Sequence, residues 1–311
     1  MTARESAIAL GGSGRSCGGW YPCDCPACGG EGKLGLKDTE SGLAVNCFRL
    51  CRHTDIIAEL DRRGLLLDEP AEPEDPAVTE RRKAKEEAHR QRRIAEARDF
   101  IGECLPWNAT GQIARYLRRR GIDPSLPSLS PSIMFHGMSR HPEGGSRPLM
   151  VGVIEHVEYG VIGATRTFLA IDGSQKAAFH KPRLFLGMAK GGAVRLGTPD
   201  PDREIVVGEG IESTISYMEL HGLPGWAALS ACGIAGLILP PEARRVVIAA
   251  HHDEDGVGLK AAVAAARRWR GEMRRVRIDL PPDAGSDWND VLASRRGVTA
   301  CRPLPRNGQP S

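Results

Sequence analysis

The chain has 311 residues with a formal net charge of +3, and 41% of its residues are hydrophobic. A chain of this length can bury one sizeable core plus one or two small modules, and its nearly balanced charge excludes a globally basic protein that coats nucleic acid. No stretch approaches the roughly 18–20 apolar residues of a membrane span, and the first residues are too weakly apolar for a signal peptide, so we expect a cytoplasmic protein with no membrane partner.

The N-terminal part of the chain contains a cluster of cysteines. Residues 1–16 are rich in Gly and Ser, and we expect them to lack regular structure. The next segment, residues 17–67, holds six of the nine cysteines. In a cytoplasmic protein, this usage favours metal binding over disulfide bonds.

Two cysteine pairs have the spacing of a zinc ribbon. Cys25 and Cys28 are separated by two residues, Cys47 and Cys51 by three, and about eighteen residues lie between the pairs. The intervening sequence alternates on either side of a turn at 39–42, which predicts a β-hairpin. Because zinc prefers four thiolates in a closed tetrahedron for a structural role, we predict that this segment is a four-cysteine zinc β-ribbon.

Other uses of the cysteines stay open. Cys23 competes with Cys25, because Cys23 and Cys28 are also suitably spaced, although the Pro26–Ala27 dipeptide favours Cys25. A redox-active Cys-x-x-Cys would account for the first pair only. Cys17 is expected to lie outside the site. Four thiolates leave no open position for water, so the predicted zinc is structural and not catalytic.

The segment 68–101 is predicted to be a helical linker. Its first part is acidic and rich in Pro, which is typical of linkers. From residue 80 onward it is densely charged and has few apolar anchors, which predicts one charged helix. Basic residues run densely from Arg81 to Arg98, and again from Arg267 to Arg277. Such a run either neutralises phosphates or forms a solvated helix face.

Residues 102–200 are predicted to form a mixed α+β subdomain. A helix is expected at 106–121, where Gly121 occupies the C′ position. The Pro/Ser-rich stretch 123–146 is expected to be irregular. The alternating residues that follow break at Gly160, which is typical of a β-meander.

Strand-like and helix-like segments alternate from residue 203 onward. This rhythm predicts a parallel four-stranded sheet with flanking helices at 201–296, so the fold class is α+β or α/β. Residues 297–311 are expected to form a disordered tail. Ligands on parallel sheets bind beyond the carboxyl ends of the strands, and we expect the reactive residues at that edge.

Acidic residues follow three of the predicted strands. Glu209 and Glu212 come after the first strand, the run 251–255 follows a buried strand, and Asp287 and Asp290 follow the last. Carboxylates that converge repel one another, and a divalent cation such as Mg²⁺ relieves the repulsion. Two such ions can drive phosphoryl transfer. The alternative, acids at the tips of surface loops, stays open.

The stretches EIVVGEGIE, VVIAAHHDEDG and SDWNDVL resemble the Toprim domain of primases, topoisomerases and certain nucleases. Together with CPAC, CFRLC and KPRLFLGMAKGGAVRLG, they resemble the primases of phages and plasmids over most of residues 20–295. The resemblance implies two-metal nucleotidyl transfer that makes short RNA primers on single-stranded DNA from nucleoside triphosphates. It also implies a replicative helicase on a separate chain, since no GxxxxGK[ST] sequence is present.

The resemblance further implies a set of site residues. Glu209 matches the Toprim glutamate, which acts as a general base or orients a metal. His251 stands where the first aspartate of the Asp-x-Asp metal motif belongs, and Asp253 matches the second, although a register shifted to Asp253–Asp255 stays open. The catalytic residues implied are Glu209, Asp253, Asp255 and Asp287, and the ligands implied for Mg²⁺ or Mn²⁺ are Glu209, Glu212, His251 and Asp253.

Basic and aromatic residues are implied to bind nucleotides and template. Trp20, Tyr21, Arg49 and Arg52 of the ribbon would hold single-stranded DNA. The residues implied to contact phosphates are Lys176, Lys181, Arg183, Lys190 and Arg195.

His251 leaves a second class of function open. A neutral imidazole is a poor ligand for Mg²⁺ and suits Mn²⁺ or zinc better, so the metal site is either altered in preference or inactive. An inactive site would make the chain a non-catalytic DNA-binding or loading protein that keeps the Toprim fold as a scaffold. The ribbon argues against a Toprim nuclease, and the chain is too short for a topoisomerase.

Overall fold

The computed structural model describes residues 1–16, 19–39, 42–49, 51–66, 76–108, 110–125, 131–253 and 256–298. The chain divides into two compact units, Met1–His89 and Arg90–Ser311. The division falls within helix α3 (Pro76–Gly102), in the segment predicted as a charged helix. Among the described residues, no helix combines the length and the apolar character that crossing a bilayer requires.

The first unit contains a small antiparallel sheet and two helices that share one apolar core. Its elements are α1 (Ala3–Ala9), β1 (Tyr21–Cys23), β2 (Leu34–Thr39), β3 (Gly42–Cys47) and α2 (His53–Arg62). The predicted hairpin is present, because β2 pairs with β3 from Leu34↔Cys47 to Thr39↔Gly42. Leu34, Leu36, Ile56 and Leu60 are at most 1% exposed and form its core.

The expectation that residues 1–16 lack regular structure is wrong. Thr2 and Glu5 form a capping box that begins α1, and each side chain binds the other residue's backbone N–H. Ala3 and Ala7 are fully buried in the same core as the β2 leucines. A short helix is stable here because tertiary packing covers one of its faces.

The described residues of the second unit form one ten-stranded sheet. Four neighbouring strands in the order β13-β12-β10-β11 are parallel, as the alternating sequence predicts. The strands are β4 (Leu105–Pro106), β5 (Ile133–Arg140), β6 (Ser146–His156), β7 (Gly160–Phe168), β8 (Arg183–Gly187), β9 (Ala193–Arg195), β10 (Glu204–Gly208), β11 (Gly225–Ala227), β12 (Arg245–Ala249) and β13 (Arg275–Asp279).

Helices cover both faces of the parallel strands. One apolar cluster joins Val206 to residues of α5 and α8, and another joins Val207 to residues of α6 and α7. Burial on both faces explains why these strands are continuous apolar runs. The helices of this unit after α3 are α4 (Gln112–Arg119), α5 (Ile211–His221), α6 (Ala231–Gly236), α7 (Val257–Gly271) and α8 (Trp288–Arg295).

The structure differs from the predicted elements at α4, which spans Gln112–Arg119 and not 106–121, and at β5. Strand β5 lies in the stretch 123–146 that was expected to be irregular, because β6 supplies its hydrogen-bonding partner. Strand β11 ends at Ala227, and Ser230 caps α6 by accepting a hydrogen bond from the backbone N–H of Gly233. The sheet is also continuous across residue 200, since β9 pairs antiparallel with both β6 and β11.

Close packing of β7 against the segment after β8 gives a stability prediction. A Cβ at Gly163 would overlap the carbonyl oxygen of Met188 and lie 2.8 Å from that of Leu186. We expect Gly163→Ala to lower the free energy of unfolding by at least roughly 1–3 kcal/mol, because backbone atoms cannot yield cheaply.

Urea unfolding followed by circular dichroism measures this loss. Gly137→Ala in β5 is the control, because a Cβ there meets nothing within 4 Å. Its stability should stay within about 0.5 kcal/mol of wild type. Equal stabilities for the two variants would contradict the packing argument.

Candidate zinc site and strand-end cluster

Four thiols of the first unit converge on one point. The ligand atoms of Cys25, Cys28, Cys47 and Cys51 all lie within 4.8 Å of one another. The Sγ–Sγ distances are 3.9 Å for Cys25–Cys51 and 3.9 Å for Cys28–Cys47. Zn–S bonds of about 2.3 Å in a tetrahedron place the sulfurs about 3.8 Å apart, so this arrangement fits a structural zinc ion.

Local backbone geometry presents these thiols. Cys25 and Cys28 lie on the turn after β1, Cys47 ends β3, and Cys51 precedes α2. The backbone N–H of Arg49 donates to the Sγ of Cys47 at 3.3 Å. Burial raises the pKa of Cys25 to about 11, although backbone N–H groups oppose the shift. A bound cation would favour the ionised form of the Cys25 thiol.

Cys23 lies outside the four-thiol group. Its side chain is 1% exposed and belongs to the apolar core of the first unit. Burial raises its pKa to about 12, with a further contribution from the charge of Asp24. It is an inert core residue by these criteria, and Cys17 lies outside the described residues.

In the second unit, three polar side chains meet beyond the carboxyl ends of β10 and β12. We call Glu209, His251 and Asp253 the strand-end cluster. The Nδ1 of His251 lies 3.9 Å from Oε2 of Glu209 and 4.0 Å from Oδ1 of Asp253. The imidazole thus lies within reach of both carboxylates, at the edge where a parallel sheet binds its ligands.

Asp253 is held by the first turn of α7. Its Oδ2 accepts a hydrogen bond of 3.1 Å from the backbone N–H of Gly258. A Cβ at Gly258 would lie 2.8 Å from the same oxygen. Gly256, whose φ of 65° suits glycine, begins the helix. Two glycines therefore allow the helix to approach the carboxylate this closely.

The electrostatics of the cluster favour a bound cation. Burial raises the pKa of Glu209, the charge of Asp253 raises it further, and the charges of His251 and Arg183 oppose the shift. The Nε2 of His251 is buried and, among the described residues, has no hydrogen-bond partner. A divalent ion would relieve the repulsion between the two carboxylates.

Two carboxylates and one imidazole form a mixed oxygen and nitrogen donor set. Such a set suits Mn²⁺ or Zn²⁺ better than Mg²⁺. In the described part of the chain, only the four cysteines bring three or more ligand atoms within 4.8 Å of one another. The ligand atoms of the strand-end cluster therefore lie farther apart than those of the thiol site.

A strained loop lies beside the cluster, and sequence reasoning missed it. Leu229 has a φ of 72°, which is rare for a leucine. Its backbone N–H donates to the carbonyl of Glu209 at 2.7 Å, and its own carbonyl accepts from Arg183 at 3.1 Å. Such strain often marks a functional site. It had no sequence signal, because nothing in a leucine indicates a positive φ.

Glu212 and Lys176 form an ion pair with each other. Glu212 is buried, and its Oε1 lies 2.9 Å from Nζ of Lys176 and accepts a hydrogen bond of 2.5 Å from Tyr116. Burial disfavours the charged carboxylate, but Lys176, Arg120 and Tyr116 outweigh it and lower the pKa. These contacts pair the two charged groups with each other, and their roles at a metal and at a phosphate stay predictions.

Asp287 and Asp290 act at the start of α8. The side chain of Asp287 accepts hydrogen bonds from the backbone N–H groups of Asn289 and Asp290, and Asp290 accepts one from the backbone of Asp287. This capping box engages both carboxylates in holding the helix end. The predicted catalytic residue Asp255 lies outside the described residues.

The remaining predicted basic residues have different environments. Among them, Arg183 is the residue whose charge lowers the pKa of Glu209. Lys181 and Lys190 are exposed. Arg195 packs over the ring of Trp226 at 4.6 Å, and its Nη1 lies 3.7 Å from Glu155. Their binding of phosphates stays a prediction.

Two segments of the chain match known family models. Residues 204–297 match the family model of the Toprim domain. The C-terminal segment is a Toprim domain. Residues 91–196 match a family described as a domain of unknown function (DUF7146). The strand-end cluster lies in the segment that matches the Toprim domain, whereas Lys176 and Arg183 lie in the segment that matches the other family. No curated protein is significantly similar to this chain.

Solved structures show distant similarity. The zinc-binding and RNA polymerase domains of the Aquifex aeolicus primase match at 13% identity, over 95% of this chain and 82% of that chain, with a TM-score of 0.43. The primase fragment of the bacteriophage T7 primase-helicase protein matches at 16% identity, over 89% and 95%, with a TM-score of 0.38. The DnaG primase catalytic domain bound to ssDNA matches at 16% identity, over 67% and 78%, with a TM-score of 0.42. At these values the similarities assign no activity to the chain.

The four-thiol site predicts one zinc ion per chain. We expect Cys25→Ser combined with Cys28→Ser to abolish zinc binding, because two of four ligands are lost. Metal analysis of purified protein by plasma mass spectrometry measures the content. Cys23→Ala should retain the zinc, and loss of zinc from this variant would contradict the ligand assignment.

The buried Glu212 predicts a pH-dependent stability. Its folded pKa is lowered, so ionised Glu212 stabilises the fold above its ordinary pKa of 4.5, and this contribution is lost as the pH falls below that value. Glu212→Gln should cost roughly 3 kcal/mol at neutral pH, the lower end for a broken buried pair because Lys176 is 31% exposed.

Urea unfolding of wild type and Glu212→Gln between pH 7 and pH 3 tests this. The two stabilities should converge as the pH falls, because wild type loses what the variant already lacks. Glu242→Gln, at an exposed position, should follow wild type. If the free energies of unfolding of wild type and Glu212→Gln changed in parallel with pH, the ionised carboxylate would be excluded as the source of the pH-dependent stability.

Proposed function

We propose that this chain is a DNA primase that makes short RNA primers on single-stranded DNA by nucleotidyl transfer, in the replication of a phage, plasmid or other mobile element. The observation that carries the proposal is the strand-end cluster of the Toprim domain. The imidazole of His251 lies 3.9 Å from a carboxylate oxygen of Glu209 and 4.0 Å from one of Asp253, beyond the carboxyl ends of the parallel strands. The same chain carries a four-thiol site that fits zinc.

Glu209, His251 and Asp253 would hold the divalent cation of this reaction. When bound, Mg²⁺ or Mn²⁺ supplies positive charge for the triphosphate and for the attacking hydroxyl. Burial raises the pKa of Glu209, which suits a base that accepts the proton of the primer 3′-hydroxyl. Arg183, held by the carbonyl of Leu229, would orient a phosphate of the incoming nucleotide.

The zinc-bearing unit would contact the template. Trp20 and Tyr21 are partly exposed, and Arg52 is exposed next to Cys51. Phe48, within the second cysteine pair, is 51% exposed. Aromatic rings that stack on bases and arginines that neutralise phosphates are the usual means of binding single strands. A helicase on a separate chain would supply the unwound template.

His251 favours one other candidate function. With an imidazole in place of a carboxylate, the cluster has one negative charge fewer to hold Mg²⁺. If this loss abolishes chemistry, the chain is a non-catalytic DNA-binding or loading protein that uses the Toprim domain as a scaffold. Both functions predict binding to single-stranded DNA, so only a catalytic assay separates them.

A primer-synthesis assay on single-stranded DNA, with Mg²⁺ or with Mn²⁺, tests the proposal. Wild type should make primers, with more product in Mn²⁺. Glu209→Ala should lower the rate at least about 100-fold, since it removes the proposed base. His251→Asp should raise the product made with Mg²⁺. Glu242→Ala, which removes an exposed carboxylate outside the cluster, should match wild type.

The outcomes separate the two functions. The protein could make no product with either metal and still bind single-stranded DNA in an anisotropy assay. That result would support the non-catalytic scaffold function. Primer synthesis that survives Glu209→Ala would mean that the reaction uses another site.

A further inference from the structure

At the amino ends of its parallel strands, opposite the strand-end cluster, the Toprim domain has an open surface pocket of about 500 Å³ whose arginines are exposed. We call it the arginine cavity. It lies at the start of β10, β12 and β13, five residues before Glu209 along β10, which is roughly 17 Å at the rise of a strand. The residues that line it include Arg203, Glu204, Leu223, Arg245, Arg275 and Arg277.

Most of the positive charge in this cavity is not neutralised. Arg277 is the exception, because it forms two hydrogen bonds of 3.0 Å with Glu204 and an ion pair with Asp279. In the part of the chain that the structure describes, no carboxylate lies within 4.0 Å of the guanidinium of Arg203, Arg245 or Arg275. Three of the four arginines that line the cavity therefore have no carboxylate partner among the described residues.

Two of these guanidinium groups are nevertheless held in place. Arg203 donates to the carbonyl of Gly222, at the end of α5, at 2.8 Å. Arg245 donates to the carbonyl of Asp202 at 3.2 Å. Backbone carbonyls orient a guanidinium and leave its charge in place, so these side chains are preorganised for an anion.

The arrangement is unfavourable without a ligand. Arg245 and Arg275 are direct neighbours in the register of β12 and β13, and like charges at such positions destabilise a sheet. Charge on β13 also protects an exposed sheet edge from aggregation. That role explains Arg275 and Arg277 but not Arg203 and Arg245, which precede or begin interior strands.

We propose that the arginine cavity binds a compact phosphate-bearing anion, of the class of a small molecule with a diphosphate or triphosphate group. Planar guanidinium groups bind phosphate oxygens in pairs, and a pocket of about 500 Å³ has room for a compact anion. Arg277 pairs with the carboxylates of Glu204 and Asp279, so a compact anion would bind to the other three arginines. The site is remote from the strand-end cluster, so the inference does not rest on the proposed function.

Thermal unfolding of the zinc-loaded full chain, without added divalent metal, tests the site. Sodium pyrophosphate should raise the Tm of wild type in a saturable way, compared with sodium chloride at equal ionic strength. Arg245→Gln combined with Arg275→Gln should weaken the apparent affinity at least about 10-fold, because charge-assisted hydrogen bonds are lost. Without pyrophosphate, the double variant should unfold at the wild-type Tm or above, since the repulsion is gone.

A control and a second cavity variant, which each remove one positive charge, keep the test decisive. Arg267→Gln removes an exposed arginine of α7 that does not line the cavity, and it should respond to pyrophosphate as wild type does. Arg203→Gln, which lies outside the strands, should weaken the response if the double variant does not fold. A wild-type response in either cavity variant would overturn the proposal.

A nucleic-acid role for the cavity is the other outcome of the test. If the cavity variants lose binding to a single-stranded oligonucleotide, and pyrophosphate does not compete for it, the surface binds a nucleic-acid backbone and the compact-anion proposal is overturned. Competition between pyrophosphate and the oligonucleotide, lost together in the cavity variants, would support a shared phosphate site.

Discussion

The parallel pairing of β10 with β12 determines where the groups of the strand-end cluster lie. Gly208 is opposite Ala249 in this register, so both chains leave the sheet at the same end, and Glu209 comes to lie 3.9 Å from His251. Asp253 then completes the cluster, because Gly258 lets the first turn of α7 approach its carboxylate. A slip of one residue between these strands would turn every side chain to the other face. The burial of both faces prevents that slip.

Two glutamates that are three positions apart in the sequence have different environments. Glu209 ends the strand and keeps its carboxylate at the sheet edge, where burial and Asp253 raise its pKa. Glu212 lies in the first turn of α5 and points into the protein, where Lys176, Arg120 and Tyr116 outweigh the cost of burial and keep it ionised. One supplies a candidate reactive group, and the other ties α5 to α4 and to the loop before β8.

The Toprim sheet carries opposite charges at the two ends of its parallel strands. Carboxylates gather at the ends of its parallel strands, and arginines gather at their starts. The helices α5 and α7 begin at the acidic edge, where the positive ends of their dipoles favour carboxylates. Arg203 lies at the end of α5, where the negative end of the dipole favours a cation. The same strand direction thus favours both charge clusters.

The sequence alone determined the features that depend on local spacing. The two cysteine pairs and the hairpin between them predicted a four-thiol site, and the alternation of apolar runs with amphipathic segments predicted four parallel strands. Both are set by residues near one another in the chain or by the burial that a strand requires. The position of Glu209 at a strand end followed from the same pattern.

Only the tertiary structure decided which charged groups meet. The partners of Glu212 are Tyr116, which lies 96 residues away, and Lys176, and no local pattern encodes such a contact. Strand β5 and the helix α1 form because distant residues cover or pair them, which overrides their weak local signals. The strain at Leu229 likewise depends on contacts with Glu209 and Arg183. Local spacing predicts a ligand set or a strand, whereas the side-chain partners across the core are decided by packing.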